Sequence, residues 1–212
     1  MSLKNDDALI DSIIKRYPRS RSAIMPLLHL AQARDGYVTP ESIEVIAEKL
    51  SLETAEVSAV ATFYTQYKRK PVGEYHVGVC TNTLCAVMGG DAIYESILEH
   101  LSIDNDEVTS DGKVSVEHIE CNAACDYAPV VMVNWEFYDN QTVASTKDLV
   151  DACRAGNPPA PTRGPNKLPT WKENSEVLAG VNDGRANEGV QAGEPTLLGL
   201  KIAKEGGKKC LN

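Results

Sequence analysis

Tyr75-His76-Val77-Gly78-Val79-Cys80 is the stretch on which the fold turns. Before it, apolar residues recur at helical spacing; from here they alternate, as a strand requires, and the alternation runs straight into a thiol. Downstream, Gly89-Gly90-Asp91 opens a helix that turns Ile93, Ile97, Leu98 and Leu101 inward. Val114, Val116 and Ile119 mark an extended segment ending at Cys121, and Val130 to Phe137 reads as one further strand. Thr146 to Ala155 reads as a final short helix. The order β-α-β-β-α predicts a small α/β sandwich over residues 71–155.

Upstream, residues 1–70 predict a helical bundle. Ile10, Ile13, Ile14 and Tyr17 form one stripe, stopped by Pro18, and Ala23, Leu27, Leu30 and Ala31 form a second, ended by Asp35-Gly36. Thr39-Pro40-Glu41 is a helix start: a hydroxyl cap, proline in the first turn, and an acid favourable to the dipole. Ser51 or Thr54 can cap a fourth helix through Val57, Val60, Ala61 and Tyr64. Lys68-Arg69-Lys70-Pro71 then reads as a solvated hinge, or as a basic contact to the acidic segment that follows. Residues 156–165, GNPPAPTRGP, forbid regular structure, and the remainder to residue 212 reads as an extended tail ordered against a partner.

The thiols are the chemistry. Cys80 and Cys85 have four residues between them, Cys121 and Cys125 three, and each pair follows a strand, so two strand-end loops can meet at one edge of the sheet. In a reducing compartment such clustered cysteines signal a metal or redox site rather than a disulfide framework. Two thiolates at each end suit a 2Fe-2S core, one pair per iron. Zinc is the alternative, although four-cysteine zinc sites usually begin with a tighter C-x2-C knuckle. Ala86, Gly89, Gly90, Ala123 and Ala124 keep the loops small, so backbone N–H groups can approach sulfur. Gly89-Gly90 also reads simply as the opening of a helix.

Charge narrows the partners. Residues 71–155 hold 3 basic and 15 acidic side chains, net −12, whereas residues 1–70 and 156–212 stand at +1 and +2. A segment of that charge repels nucleic acid and anionic lipid and could steer a basic partner. A helix-turn-helix over residues 39–67 lacks the basic face that DNA binding needs. No apolar run approaches the roughly 20 residues that span a bilayer, and the first twenty residues lack a signal core, so a cytoplasmic protein without membrane insertion is expected. There is no glycine-rich dinucleotide fingerprint and no nucleophile with a paired base, so no catalytic site is expected within the chain.

The remaining candidates read blandly. His29 and His76 are core or surface residues, His118 is a bystander to Cys121, Cys153 is a buried free thiol, and Cys210 is exposed and without a role. Phe63 and Tyr64 pack the bundle against a partner.

ATFYTQY (61–67), KPVGEYHVGVC (70–80), the spacing to Cys85, TSDGKVSVEHIECNAACDYAPVVMVN (109–134) and RGP (163–165) together resemble the E subunits of bacterial NADH:quinone oxidoreductase, respiratory complex I. The resemblance covers about residues 10–165. It implies an α+β architecture: a helical bundle, then a thioredoxin-like α/β domain binding one 2Fe-2S cluster. Cys80 and Cys85 would hold one iron, Cys121 and Cys125 the other. It further implies docking on a flavin- and NADH-binding F subunit that carries FMN and NADH, with single electrons exchanged with the flavin. The chain would then sit peripherally on the cytoplasmic side of the inner membrane, through the complex. Ala123 departs from the glycine usual at that place, and Pro129 resembles the cis-proline of thioredoxin-like folds. The same module in a soluble NAD-linked hydrogenase or formate dehydrogenase, and a zinc-stabilised interaction module, are the alternatives.

Overall fold

Thr39 opens the third helix as expected: its Oγ1 accepts the Ser42 N–H at 3.1 Å, with Pro40 in the first turn. The computed structural model describes residues 3–190 and 192–206. Its N-terminal part packs α1 (Asp7–Ile14), α2 (Ile24–Asp35), α3 (Pro40–Leu50) and α4 (Thr54–Phe63) into a bundle. α2 lies at the centre and is buried on every side from Pro26 to Ala33, not along one stripe. Its polar members are only partly satisfied there: Gln32 Oε1 accepts the Lys68 N–H at 2.6 Å and His29 tilts against the Tyr67 ring, while Gln32 Nε2 and His29 Nδ1 are buried without a hydrogen-bond partner among the described residues. The cap of α4 differs from expectation. Ser51 ends α3 in the left-handed region, φ 55°, and Glu53 caps α4, its N–H donating to Glu56 Oε2 at 3.1 Å.

The sheet holds β1 (Tyr75–Cys80), β2 (Val114–Ile119), β3 (Val131–Val133) and β4 (Glu136–Tyr138) in the order β2-β1-β3-β4. β1 and β2 run parallel, with Cys80 opposite Ile119, while β3 pairs antiparallel with both β1 and β4. Before β2 come α5 (Thr83–Val87) and α6 (Gly90–Leu101); α7 (Val143–Arg154) follows β4. Val130 to Phe137 is therefore a hairpin, not one strand. Asn134 and Trp135 both have positive φ, 50° and 69°, which two-residue turns of this twist demand. Asn134 is held there by its own side chain: Oδ1 accepts the His76 N–H at 2.7 Å, and Nδ2 donates to Glu74 O and Pro169 O. α7 begins three residues before the expected helix, because Thr142 caps it through Ser145.

The segment after residue 156 is not extended throughout. It carries α8 (Trp171–Leu178) and α9 (Glu194–Gly206). Thr170 and Glu173 form a capping box at α8, a signal present in the sequence but obscured by the proline-rich stretch before it. α8 packs along α2, Leu168 enters the sheet core, and Ala179 enters the bundle core. Trp171, buried between them, donates its indole N–H to Gly36 O at 2.7 Å and its backbone N–H to Glu74 O at 2.9 Å. Lys172 reaches Arg34 O, and Arg34 pairs with both Asp6 and Glu176.

The hinge is anchored too. Lys68 is largely buried and paired with Glu117 of β2, and its Nζ lies 5.3 Å from the Trp135 ring centroid. The contact to the acidic segment is therefore real for Lys68, and the solvated reading fails there. Burial works against the Glu117 carboxylate, but His76 and Lys68 beside it hold its pKa down at about 2. His76 is fully buried, with Nδ1 2.9 Å from Ser115 Oγ, and burial lowers its pKa.

Candidate metal centre

β1 and β2 end side by side, and the four thiols gather just beyond their C-terminal ends. Cys80 is the last residue of β1, and Cys85 sits on the short helix α5 that folds back over it. Cys121 lies two residues past β2, and Cys125 opens a 3-10 turn, Cys125–Tyr127. The Sγ atoms of Cys121 and Cys125 are 3.6 Å apart. Cys80 and Cys85 also lie against each other, and burial, with Cys85 and Cys121 nearby, pushes the Cys80 thiol up to about 11. Cys125 is raised as well, by its contact with Cys121 first and with a contribution from Cys80. Among the described residues no three His, Cys, Asp or Glu side chains surround one point as a single ion would need; the thiols stand as two neighbouring pairs.

The pairs differ in shelter. Cys80 and Cys85 are buried with Ile119, Ala124, Ala128, Val130 and Met132, backed by Trp135 and Phe137, while Cys121 and Cys125 are exposed. The Ala128-Pro129 peptide beside them is cis.

A family described as thioredoxin-like [2Fe-2S] ferredoxin matches residues 10–154. The chain belongs to that family. It is 59% identical over 194 residues to the E subunit of the NADH-quinone oxidoreductase of Mycobacterium tuberculosis, covering 91% of this chain and 77% of that one. It is 42% identical over 154 residues to the corresponding E subunit of Rickettsia bellii, covering 71% and 92% respectively. A crystal structure of an NAD+-reducing [NiFe]-hydrogenase matches in fold with a TM-score of 0.56 at 22% identity, over 67% of this chain. This chain spans only 25% of that hydrogenase chain.

The residues present fit the family's 2Fe-2S group. The donor set is four thiols in two pairs, the number and softness that two tetrahedral irons take. The loops provide N–H donors at sulfur: the Ala123 N–H points to Cys121 Sγ at 3.4 Å. Ala123 does so from the left-handed region, φ 55°, so an alanine occupies the conformation that glycine adopts freely.

The two glycines of the first loop have separate roles. Gly89 has φ 107° and heads α6. Gly90 is a matter of space: a Cβ there would stand 2.5 Å from Cys80 O and 2.9 Å from Cys85 O. Small size beside the first thiol pair flagged both, but the close approach becomes visible only when α5 folds α6 against the end of β1. α5 itself escaped the sequence reading, being too short to show a period.

His29 is buried and desolvation lowers its pKa to about 4. His118 is exposed against Tyr94, and Cys153 is buried among Leu149 and Val150 with its thiol pushed up to about 12 by burial. Cys210 lies outside the described residues. Phe63 and Tyr64 stand exposed at the end of α4.

Proposed function

We propose that this chain is the electron-transferring E subunit of an NADH:quinone oxidoreductase, passing single electrons between one 2Fe-2S cluster and the flavin of a partner F subunit. The observation that carries this reading is the convergence of two thiol pairs at the ends of β1 and β2. When bound, the cluster supplies reversible one-electron storage, which suits relief of a two-electron flavin.

The roles of the chain's residues follow. Cys80 and Cys85 would hold the sheltered iron, and Cys121 and Cys125 the iron nearer the surface. Ile119, Val130 and Met132 exclude water from the inner side. The exposed side, where Cys121, Cys125 and the apolar Leu84, Val87 and Met88 reach the surface, is where FMN and NADH on the partner would be approached. Residues 1–70 would form the bundle and residues 71–155 the cluster domain; of the expected tail from residue 156, Leu168, Trp171 and Ala179 join this chain's own cores, which leaves the exposed α9 as the part to meet a partner. Among the described residues no helix is long and apolar enough to cross a membrane, so membrane association on the cytoplasmic side would come through the complex.

A zinc module is disfavoured by the spacing, since four-cysteine zinc sites usually begin with a C-x2-C knuckle that neither thiol pair has. The same module in a NAD-linked hydrogenase is the second reading, supported by the shared fold alone.

Iron and acid-labile sulfide analysis of the purified chain, with EPR after dithionite, tests the cofactor. Two irons, two sulfides and a rhombic signal are expected; stoichiometric zinc with no signal overturns it. Affinity capture from native membranes tests the assembly. A flavin- and NADH-binding subunit together with quinone reductase activity is expected, and a hydrogenase large subunit among the captured chains would sink the respiratory assignment.

A further inference from the structure

The two thiol-bearing loops leave the sheet as neighbours, because Cys80 and Ile119 face each other in the last register of the β1–β2 ladder. Beyond that point no ladder joins them. What does is one side-chain hydrogen bond: Asn82 Nδ2 donates to Glu120 Oε2 at 2.7 Å. Among the described residues it is the one hydrogen bond that runs directly from the Cys80–Cys85 loop to the Cys121–Cys125 loop. Asn82 is two residues past Cys80, and Glu120 directly precedes Cys121. Each loop also braces itself: Asn122 Nδ2 donates to Glu120 O at 3.0 Å, and Ala86 N–H to Asn82 O at 2.9 Å. The bond therefore joins two pre-stiffened loops where they diverge.

We propose that Asn82 and Glu120 form a latch that fixes the spacing of the two thiol pairs and retains the cluster between them. They are positioning residues: neither touches the metal, and both act through the loops that carry the ligands. The inference rests on the cluster reading above. A charge-assisted bond is stronger than a neutral one, but this pair lies at the surface, so its effect is that of one modest hydrogen bond. Glu120 also places a negative charge beside the exposed thiol pair, an effect separable from the latch because glutamine keeps the accepting oxygen and drops the charge.

The test uses the full chain reconstituted with iron and sulfide, with cluster loss to a chelator followed by visible absorbance. Asn82→Ala and Glu120→Ala are expected to lose the cluster about fivefold faster than the parent, the factor one such bond confers. Their rhombic EPR signals should broaden, since the pairs no longer hold one spacing. The double variant should be no faster than either single variant, and Glu120→Gln should keep the parental loss rate while moving the midpoint potential upward. Asn82→Asp, which alters no volume, should match Asn82→Ala by setting two carboxylates against each other. Parental rates in both alanine variants, additive losses in the double variant, or Glu120→Gln as fast as Glu120→Ala would each overturn the latch. A parent chain that takes up no iron and sulfide would instead overturn the cluster reading, and the latch with it.

Discussion

Gly90 lies so near the backbone of Cys80 that an added Cβ would stand 2.5 Å from the Cys80 carbonyl oxygen. The neighbouring atoms are main chain on both sides, so nothing flexible can move aside. Helix α6 begins against the two residues proposed to hold the inner iron, and its first residue has to be without a side chain. Gly90→Ala is expected to destabilise the fold by about 1–3 kcal/mol, the range for forced overpacking. It should also lower iron content after reconstitution. Denaturant unfolding of the variant checks the first, and iron analysis the second; parental values in both would refute the contact.

Ala123 makes the opposite case. Its left-handed backbone costs an L-residue roughly 1–2 kcal/mol, while glycine at the same place loses about 0.4–1 kcal/mol through its freer unfolded chain. Relief exceeds loss, so Ala123→Gly should stabilise the protein by about 0.5–1 kcal/mol. A shift of the urea midpoint to higher concentration, at unchanged slope, is the expected reading.

These two positions show how far the sequence reaches. Strand alternation into Cys80, the presence of helices before it and the four-thiol spacing were all legible, because each depends on residues close in the chain; the single stripe read for α2 was not, since that helix is buried on every side. The Asn134-Trp135 turn was not, since a Trp at positive φ is held by Asn134 contacts to Glu74 and Pro169, far away in sequence. The capping box at Thr170 was readable in principle, but what gives α8 its place is Trp171 meeting Gly36 and Glu74, and no local pattern announces that. At the site, identity of the thiols was local information; the unequal burial of the two pairs was not.

His29 predicts a pH dependence. Burial lowers its pKa from 6.5 to about 4, so the folded chain keeps it neutral where the unfolded chain protonates it. A base with a lowered folded pKa contributes stability above about pH 6.5 and loses it as pH falls towards 4. The loss from this group is about 3 kcal/mol across that window. Unfolding free energies between pH 7 and 4 should fall accordingly, and His29→Leu should flatten the slope in that range. An unchanged slope would show that His29 is not the group responsible.

Cys121 and Cys153 separate ligand from core. Cys121→Ser is expected to abolish stable cluster retention, whereas Cys153→Ser should leave iron content near that of the parent. Cys153 is fully enclosed, so a serine hydroxyl there is unsatisfied and costs about 1–3 kcal/mol of folding stability instead. Equal iron loss in the two variants would mean that the cluster is held by a different set of thiols.

Trp171→Ala removes both a buried ring and the indole bond to Gly36, and should destabilise the chain by about 3–5 kcal/mol. Calorimetry should also show one unfolding transition becoming two, as bundle and sheet part company.

The segment 168–179, which ties the bundle to the sheet, has a consequence for the order of assembly. Leu168, Trp171 and Ala179 bind one core to the other, yet all three follow both cores in the chain. During synthesis the helices of the bundle and the strands of the sheet have all emerged before Leu168 and Ala179 can close their cores. A product ending before residue 168 would hold both halves and all four thiols of the site, joined by a hinge without its lock. Lys68 can already pair with Glu117 at that stage, but the final fixing of one half against the other, and with it the shape offered to a partner, waits for Trp171.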